Sequence, residues 1–184
     1  MSTEANACAF FSSPYFAVVG ASSNPAKFGH KSESHQPDAS THSRPGFIST
    51  TATLSQLTVF AWYTYHSLPA TPINPGSATI SVDTQAYDTK PALSALPHPK
   101  ETSVSIITPP PATLQVLKEA KELGIPAVWL QPGTFDDAVL KFARGKAEDG
   151  GYGGEVVAGD GGRGHEGWCV LVDGEKALKA VGKL

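Results

Sequence analysis

The chain has 184 residues, a formal net charge of −3, 40% hydrophobic residues and 17% charged residues. This fits one domain with a real core, and the absence of a basic stripe excludes a nucleic-acid footprint. No apolar run reaches the roughly 20 residues of a membrane span. The opening MSTEANACAFF lacks a signal peptide's basic and apolar regions, and two distant cysteines, Cys8 and Cys169, make neither a disulfide framework nor a zinc site, so a reducing, cytoplasmic setting is expected.

In chain order, residues 15–20 (YFAVVG) form a short apolar run ending in glycine, the pattern of a buried strand. The small-residue loop ASSNPAKFGHK follows. Residues 59–67 (VFAWYTYHS) are apolar and aromatic, and periodicity alone leaves helix or strand open. Residues 69–74 (PATPIN) read as a short strand and its exit. A connecting stretch follows, with a short helix near 91–96. Residues 103–108 (SVSIIT) are a strand that must stop at Pro109, Pro110 and Pro111, because proline cannot continue a ladder. Residues 112–123 predict an amphipathic helix with Leu114, Leu117, Ala120 and Leu123 on one face and Gly124 as its cap. Residues 126–130 (PAVWL) are the next strand, then a loop and a helix. WCVLV (168–172) reads as the last strand.

Short strands alternating with helices predict an α/β fold, a Rossmann-like doubly wound and mainly parallel sheet in a single domain. Such sheets bind ligands at the carboxyl ends of their strands, where strand order switches. Three of those ends are chemically unusual. In the first, Gly20, Ala21, Ser22, Ser23 and Asn24 let a backbone approach a ligand closely, and Lys27 adds a positive charge. In the second, Asn74-Pro75 stands where dinucleotide enzymes place a ribose-binding acid, which argues against an ordinary NAD enzyme. In the third, Thr108 with Pro109 makes a rigid wall suited to an adenine or pantetheine surface. Each also has a plain structural reading, as an ordinary turn or strand terminator.

The strings VVGASSNPAKFGHK, PINP, IITPP, GIPAVWLQPG and WCVLV, taken in order, resemble the small stand-alone CoA-binding proteins, whose domain is similar to that of the succinyl-CoA synthetase α subunit. The resemblance covers residues 10–31 and 59–172. It implies a Rossmann-like domain over 10–172, with 1–9 and 173–184 as tails. It implies coenzyme A or an acyl-CoA in the crevice: Gly20, Ser22, Ser23, Asn24 and Lys27 on the phosphates, and Asn74, Pro75, Thr108, Pro109 and Gln131 lining the rest. It implies no established reaction, and no catalytic or metal-binding residue is assigned.

Two segments depart from that pattern. Residues 145–167 are Gly-rich and read as a mobile surface loop. Residues 32–58 separate the Gly-rich loop from the helix that follows it directly in relatives, and joining Lys31 to Val59 restores a continuous family segment. The stretch is Ser- and Thr-rich and buries too little to offset its ordering cost of roughly 1–2 kcal/mol per residue, so it reads as a disordered insertion or a retained intron. Ser32-Glu33-Ser34 can be encoded as AGT-GAG-TCN, which contains a splice-donor string. Thr58-Val59 can be encoded as ACA-GTN, which contains an acceptor.

The remaining candidates read mostly as structure. Trp62, Tyr63, Tyr65 and Trp129 read as core and helix packing, Cys169 as a small core residue, and Thr134 as an N-cap ahead of Asp136 and Asp137. His165 in a Gly-rich loop reads as solvated, and His30 as at most a phosphate contact. The expected partner is a small-molecule nucleotide ligand; protein partners are left open. The rival readings are a Rossmann enzyme using NAD(P) or acyl-CoA, and an interaction protein with a decayed nucleotide site.

Overall fold

Short apolar runs, each closed by a helix breaker, set the architecture. The computed structural model describes residues 1–22, 58–160, 162–163 and 167–184. Its elements are α1 (Glu4–Ser12), β1 (Tyr15–Val19), α2 (Val59–Tyr65), β2 (Ala70–Ile73), β3 (Thr79–Val82), β4 (Gln85–Asp88), β5 (Thr102–Ile106), α3 (Pro110–Leu123), β6 (Ala127–Leu130), α4 (Asp137–Arg144), β7 (Glu155–Val157) and α5 (Val170–Ala180). Five strands form one parallel sheet in the order β2-β1-β5-β6-β7, and β3 and β4 form a separate antiparallel hairpin. The strand order reverses beside β1, the doubly wound arrangement that the alternating pattern predicts.

The sheet is buried on both faces, as parallel sheets require. The pleat sends Phe16, Val18, Ala127 and Trp129 to one side, against α1, α2 and α5. It sends Ala17, Val19, Val104, Ile106, Val128 and Leu130 to the other, against Leu117 and Ala120 of α3 and Val139 and Ala143 of α4. β5 lies at the centre with all five residues buried. Its two serines are paired: Ser105 Oγ with the Tyr63 hydroxyl at 2.8 Å, and Ser103 Oγ donating to Ser13 Oγ at 2.8 Å. α3 begins at Pro110, where a missing N–H costs nothing. It ends at Gly124, which adopts the left-handed φ of +69°.

Several sequence expectations need correction. WCVLV is not a strand: its last three residues open α5, whose buried Val170, Asp173, Gly174, Ala177 and Leu178 keep helical spacing. Cys169 is therefore a half-buried residue at the helix start rather than a core strand residue. The Gly-rich stretch 145–167 contains β7, the edge strand of the sheet. Residues 1–9 and 173–184 are not tails, because they form most of α1 and α5, which pack on each other and, through α1, on β7. Asp136, not Thr134, caps α4 by accepting from Val139 N at 2.9 Å, whereas Thr134 Oγ1 donates to the Gln131 carbonyl. The helix near 91–96 is one 3-10 turn, Leu93–Ala95. The stretch before it holds the β3–β4 hairpin, turned at Asp83 with φ +53°. Trp62, Tyr63 and Trp129 are core residues, but Tyr65 is exposed, and its hydroxyl donates to Asp83 Oδ2 at 2.7 Å. Residues 59–65 are helix, and Thr58 caps it by accepting from Ala61 N. The rest of the 32–58 segment lies outside the described residues.

Candidate functional site

The reversal of strand order places the carboxyl ends of β1 and β5 side by side, with those of β2 and β6 flanking them. Backbone hydrogen bonds carry the ladder just past each strand: Gly20 N to Ile73 O at 3.0 Å, Ile107 N to Val19 O at 3.0 Å and Gln131 N to Ile106 O at 3.1 Å. The structure thus brings Gly20, Ala21, Ser22, Asn74, Pro75, Thr108, Pro109 and Gln131 to one edge of the sheet. Ser23, Asn24, Lys27, His30 and His165 lie outside the described residues.

Gly20 has φ +86°, and a Cβ there would stand 3.1 Å from Thr108 Cγ2 and 3.2 Å from the Ile107 carbonyl oxygen. Both the left-handed backbone and the close approach of β5 require glycine. Asn74 links β2 to the same loop. Its Nδ2 donates to the Ala21 carbonyl at 2.9 Å, and its Oδ1 accepts from Gly76 N at 2.8 Å. The amide at the position of a ribose-binding acid therefore holds the loop in place.

The start of α3 is unlike an ordinary anion-binding helix terminus. Pro109, Pro110 and Pro111 have no N–H, and the next two amides, of Ala112 and Thr113, both donate to the Pro109 carbonyl at 3.0 and 2.9 Å. This terminus offers an anion its dipole but no spare donor. The buried Thr113 hydroxyl donates to the Thr108 carbonyl at 2.8 Å and lies 2.9 Å from Thr108 Oγ1. With its proton so used, Thr108 is the donor of that pair, and Thr108 Oγ1 keeps acceptor capacity for a ligand N–H.

Gln131 follows β6 and is fully buried. Its Oε1 accepts from Val170 N at 3.0 Å, which fastens the start of α5 to the end of β6, whereas Nε2 has no acceptor among the described residues. Asp173 secures the same start, Oδ2 accepting from Cys169 N at 3.1 Å and Oδ1 from Arg163 N at 2.8 Å. Sequence reasoning placed Gln131 at the crevice but missed its hold on α5, because it read residues 168–172 as a strand. None of the described crevice residues is ionisable, so this wall offers hydroxyls, amides and carbonyls only. No group of His, Cys, Asp and Glu among the described residues is placed to hold a metal ion, and no helix among them is long and apolar enough to cross a membrane.

Comparison with solved structures agrees with this architecture. A hypothetical protein from Pyrococcus horikoshii OT3 matches with a TM-score of 0.61 at 18% identity, covering 96% of this chain and 93% of its own. A conserved hypothetical protein from Pyrococcus furiosus matches with a TM-score of 0.51 at 23% identity, covering 77% and 90%. A protein redesigned for binding matches with a TM-score of 0.59 at 16% identity over the whole of this chain. At these identities the likeness is one of fold. No curated protein matches the chain. A family model described as a CoA binding domain matches residues 49–157, more than half of the chain, from ahead of α2 to the last residue of β7. The chain belongs to that CoA-binding domain family.

Proposed function

We propose that the protein binds coenzyme A or an acyl-CoA in the crevice at the carboxyl ends of β1, β2, β5 and β6, as a binding protein that does not transform its ligand. The observation that carries this reading is Gly20, a left-handed glycine pressed against Thr108 and Ile107 where strand order reverses. Family membership supports the choice of CoA. In this reading Gly20, Ala21, Ser22, Ser23, Asn24 and Lys27 hold the phosphates. Because α3 begins with Pro110 and Pro111 behind an N-cap proline, Pro109, its side of the crevice meets a neutral part of the ligand, with Thr108 Oγ1 accepting an N–H and Pro109 giving a rigid apolar surface. Asn74 and Pro75 shape the loop, and Gln131 closes the far side. The described crevice residues carry no ionisable group, which favours binding over acid–base chemistry, and Asn74 in place of an acid after β2 disfavours NAD.

Calorimetric titration with CoA, acetyl-CoA, NAD and ATP tests the reading. CoA is expected to bind in the micromolar range, about −8 kcal/mol, with NAD much weaker; tighter binding of NAD than of CoA would overturn it. Lys27→Ala is expected to weaken CoA by about 1–2 kcal/mol, the scale of a charge-assisted hydrogen bond.

A further inference from the structure

Two buried donors flank the start of α5. Gln131 Nε2 and Trp168 Nε1 each lack a hydrogen-bond acceptor among the described residues, although Gln131 is fully buried and Trp168 is 5% exposed. Native proteins leave few such groups unpaired, because an unmet buried donor keeps its full desolvation cost. The two belong to one junction. The Gln131 side chain accepts from Val170 N, and the Trp168 carbonyl accepts from the indole of Trp129, two residues before Gln131 on β6, at 3.2 Å. The rings of Trp129 and Trp168 meet edge to face, with centroids 6.1 Å apart. Trp168 also walls a cavity of about 70 Å³ between α1 and α5, together with the small residues Ala7, Cys8, Ala177 and Ala180.

We infer that this junction receives a carbonyl oxygen from the arm of the bound ligand, an oxygen that accepts from Gln131 Nε2 and Trp168 Nε1. The inference rests on the CoA reading above and gives the ligand a direction. The nucleotide phosphates lie at the β1–β5 switch, and the pantetheine arm runs across β6 towards α5. Charge favours a neutral acceptor. The rim cations are already engaged, Lys176 with Glu4 and Arg163 with Asp173, and neither orphan donor is itself charged. An amide or thioester carbonyl meets those requirements, and the arm of an acyl-CoA carries both kinds.

The experiment measures the affinity of the full chain for 3′,5′-ADP, CoA and acetyl-CoA, in the parent protein and in Trp168→Phe and Gln131→Met. Trp168→Phe keeps a six-membered aromatic ring and removes the pyrrole part of the indole with its N–H. Gln131→Met keeps the side-chain length and removes the Nε2 donor together with the Oε1 that accepts from Val170 N, so its effect is read as the difference between ligands. Both variants are expected to weaken a ligand that carries the arm by about threefold to tenfold more than they weaken 3′,5′-ADP, one hydrogen bond's worth. A loss confined to acetyl-CoA assigns the thioester carbonyl, and a loss shared with CoA assigns an amide of the arm. An equal loss for all three ligands reveals a purely structural role and overturns the inference, as does unchanged affinity in both variants. If the parent binds none of the three, the CoA reading falls and the inference with it.

Discussion

The two faces of the central sheet are built from different chemistry. The face under α3 and α4 is aliphatic: Val104, Ile106, Leu117, Val128, Leu130 and Val139 fill it. The face under α1, α2 and α5 is aromatic, with Phe10, Phe11, Phe16, Trp62, Tyr63, Trp129 and Trp168 in contact through edge-on and tilted pairs. Aromatic rings bring polar atoms into a core, so this face also holds the Tyr63–Ser105 pair, the Trp129 indole bond to the Trp168 carbonyl, and the orphan donors of Gln131 and Trp168. An aliphatic face asks only for volume. An aromatic face asks for volume and for the right acceptors, and so can respond to a ligand's polar groups.

The sharpest test of this contrast deletes one large side chain from each face. Trp129→Ala is expected to cost about 3–5 kcal/mol and Leu117→Ala about 2–5 kcal/mol, with Trp129 the larger loss in guanidinium unfolding. A Leu117 loss that matches or exceeds it would break the comparison. Tyr63→Phe removes a hydroxyl and leaves the buried Ser105 Oγ without its partner, for an expected cost of about 1–3 kcal/mol. The same variant has a pH signature. Burial raises the Tyr63 hydroxyl above the ordinary tyrosine value of 10, and burial, aided by the charge of Glu155, does so for Tyr152. The unfolded chain loses these protons near pH 10 and the folded chain keeps them, so the folded state binds more protons above that point. Stability is complete below pH 10 and falls as pH rises, by up to about 1.4 kcal/mol per pH unit for each tyrosine. Tyr63→Phe should flatten that fall, and an unchanged alkaline slope would remove Tyr63 from the account. The smallest expected effect tests whether α1 belongs to the aromatic face as a fixed part. Thr3 and Asn6 form a reciprocal cap, Asn6 Oδ1 accepting from Thr3 N at 2.7 Å, and Thr3→Ala is expected to cost about 0.5–2 kcal/mol in thermal unfolding. No loss of stability would mean that α1 is held by its buried phenylalanines alone.

The aliphatic face is also the one most legible in the sequence. α3 shows its period within one window and is bounded by prolines and Gly124, and β5 and β6 are apolar runs closed by local breakers. The aromatic face comes largely from segments that lack those signals. α1 buries only Ala7, Phe10 and Phe11, three residues at helical spacing in a segment too short to stand out, although Thr3 and Asn6 spell a cap. α5 begins in WCVLV, which matches a strand until the window extends to Ala177 and Leu178. β7 is three residues among glycines and becomes a strand because β6 offers it a partner and α1 covers it.

By itself the sequence determined the strand–helix alternation and the parallel doubly wound class, because short apolar runs and proline or glycine breakers act locally. Only the tertiary structure decided that Asn74 ties β2 to the β1 loop, that the start of α3 has no amide to offer an anion, and that Gln131 holds α5 while one of its donors has no acceptor among the described residues. Those roles depend on which acceptor stands opposite each polar atom, and that is fixed by contacts between segments as far apart in the chain as Ala21 and Asn74, or Gln131 and Val170.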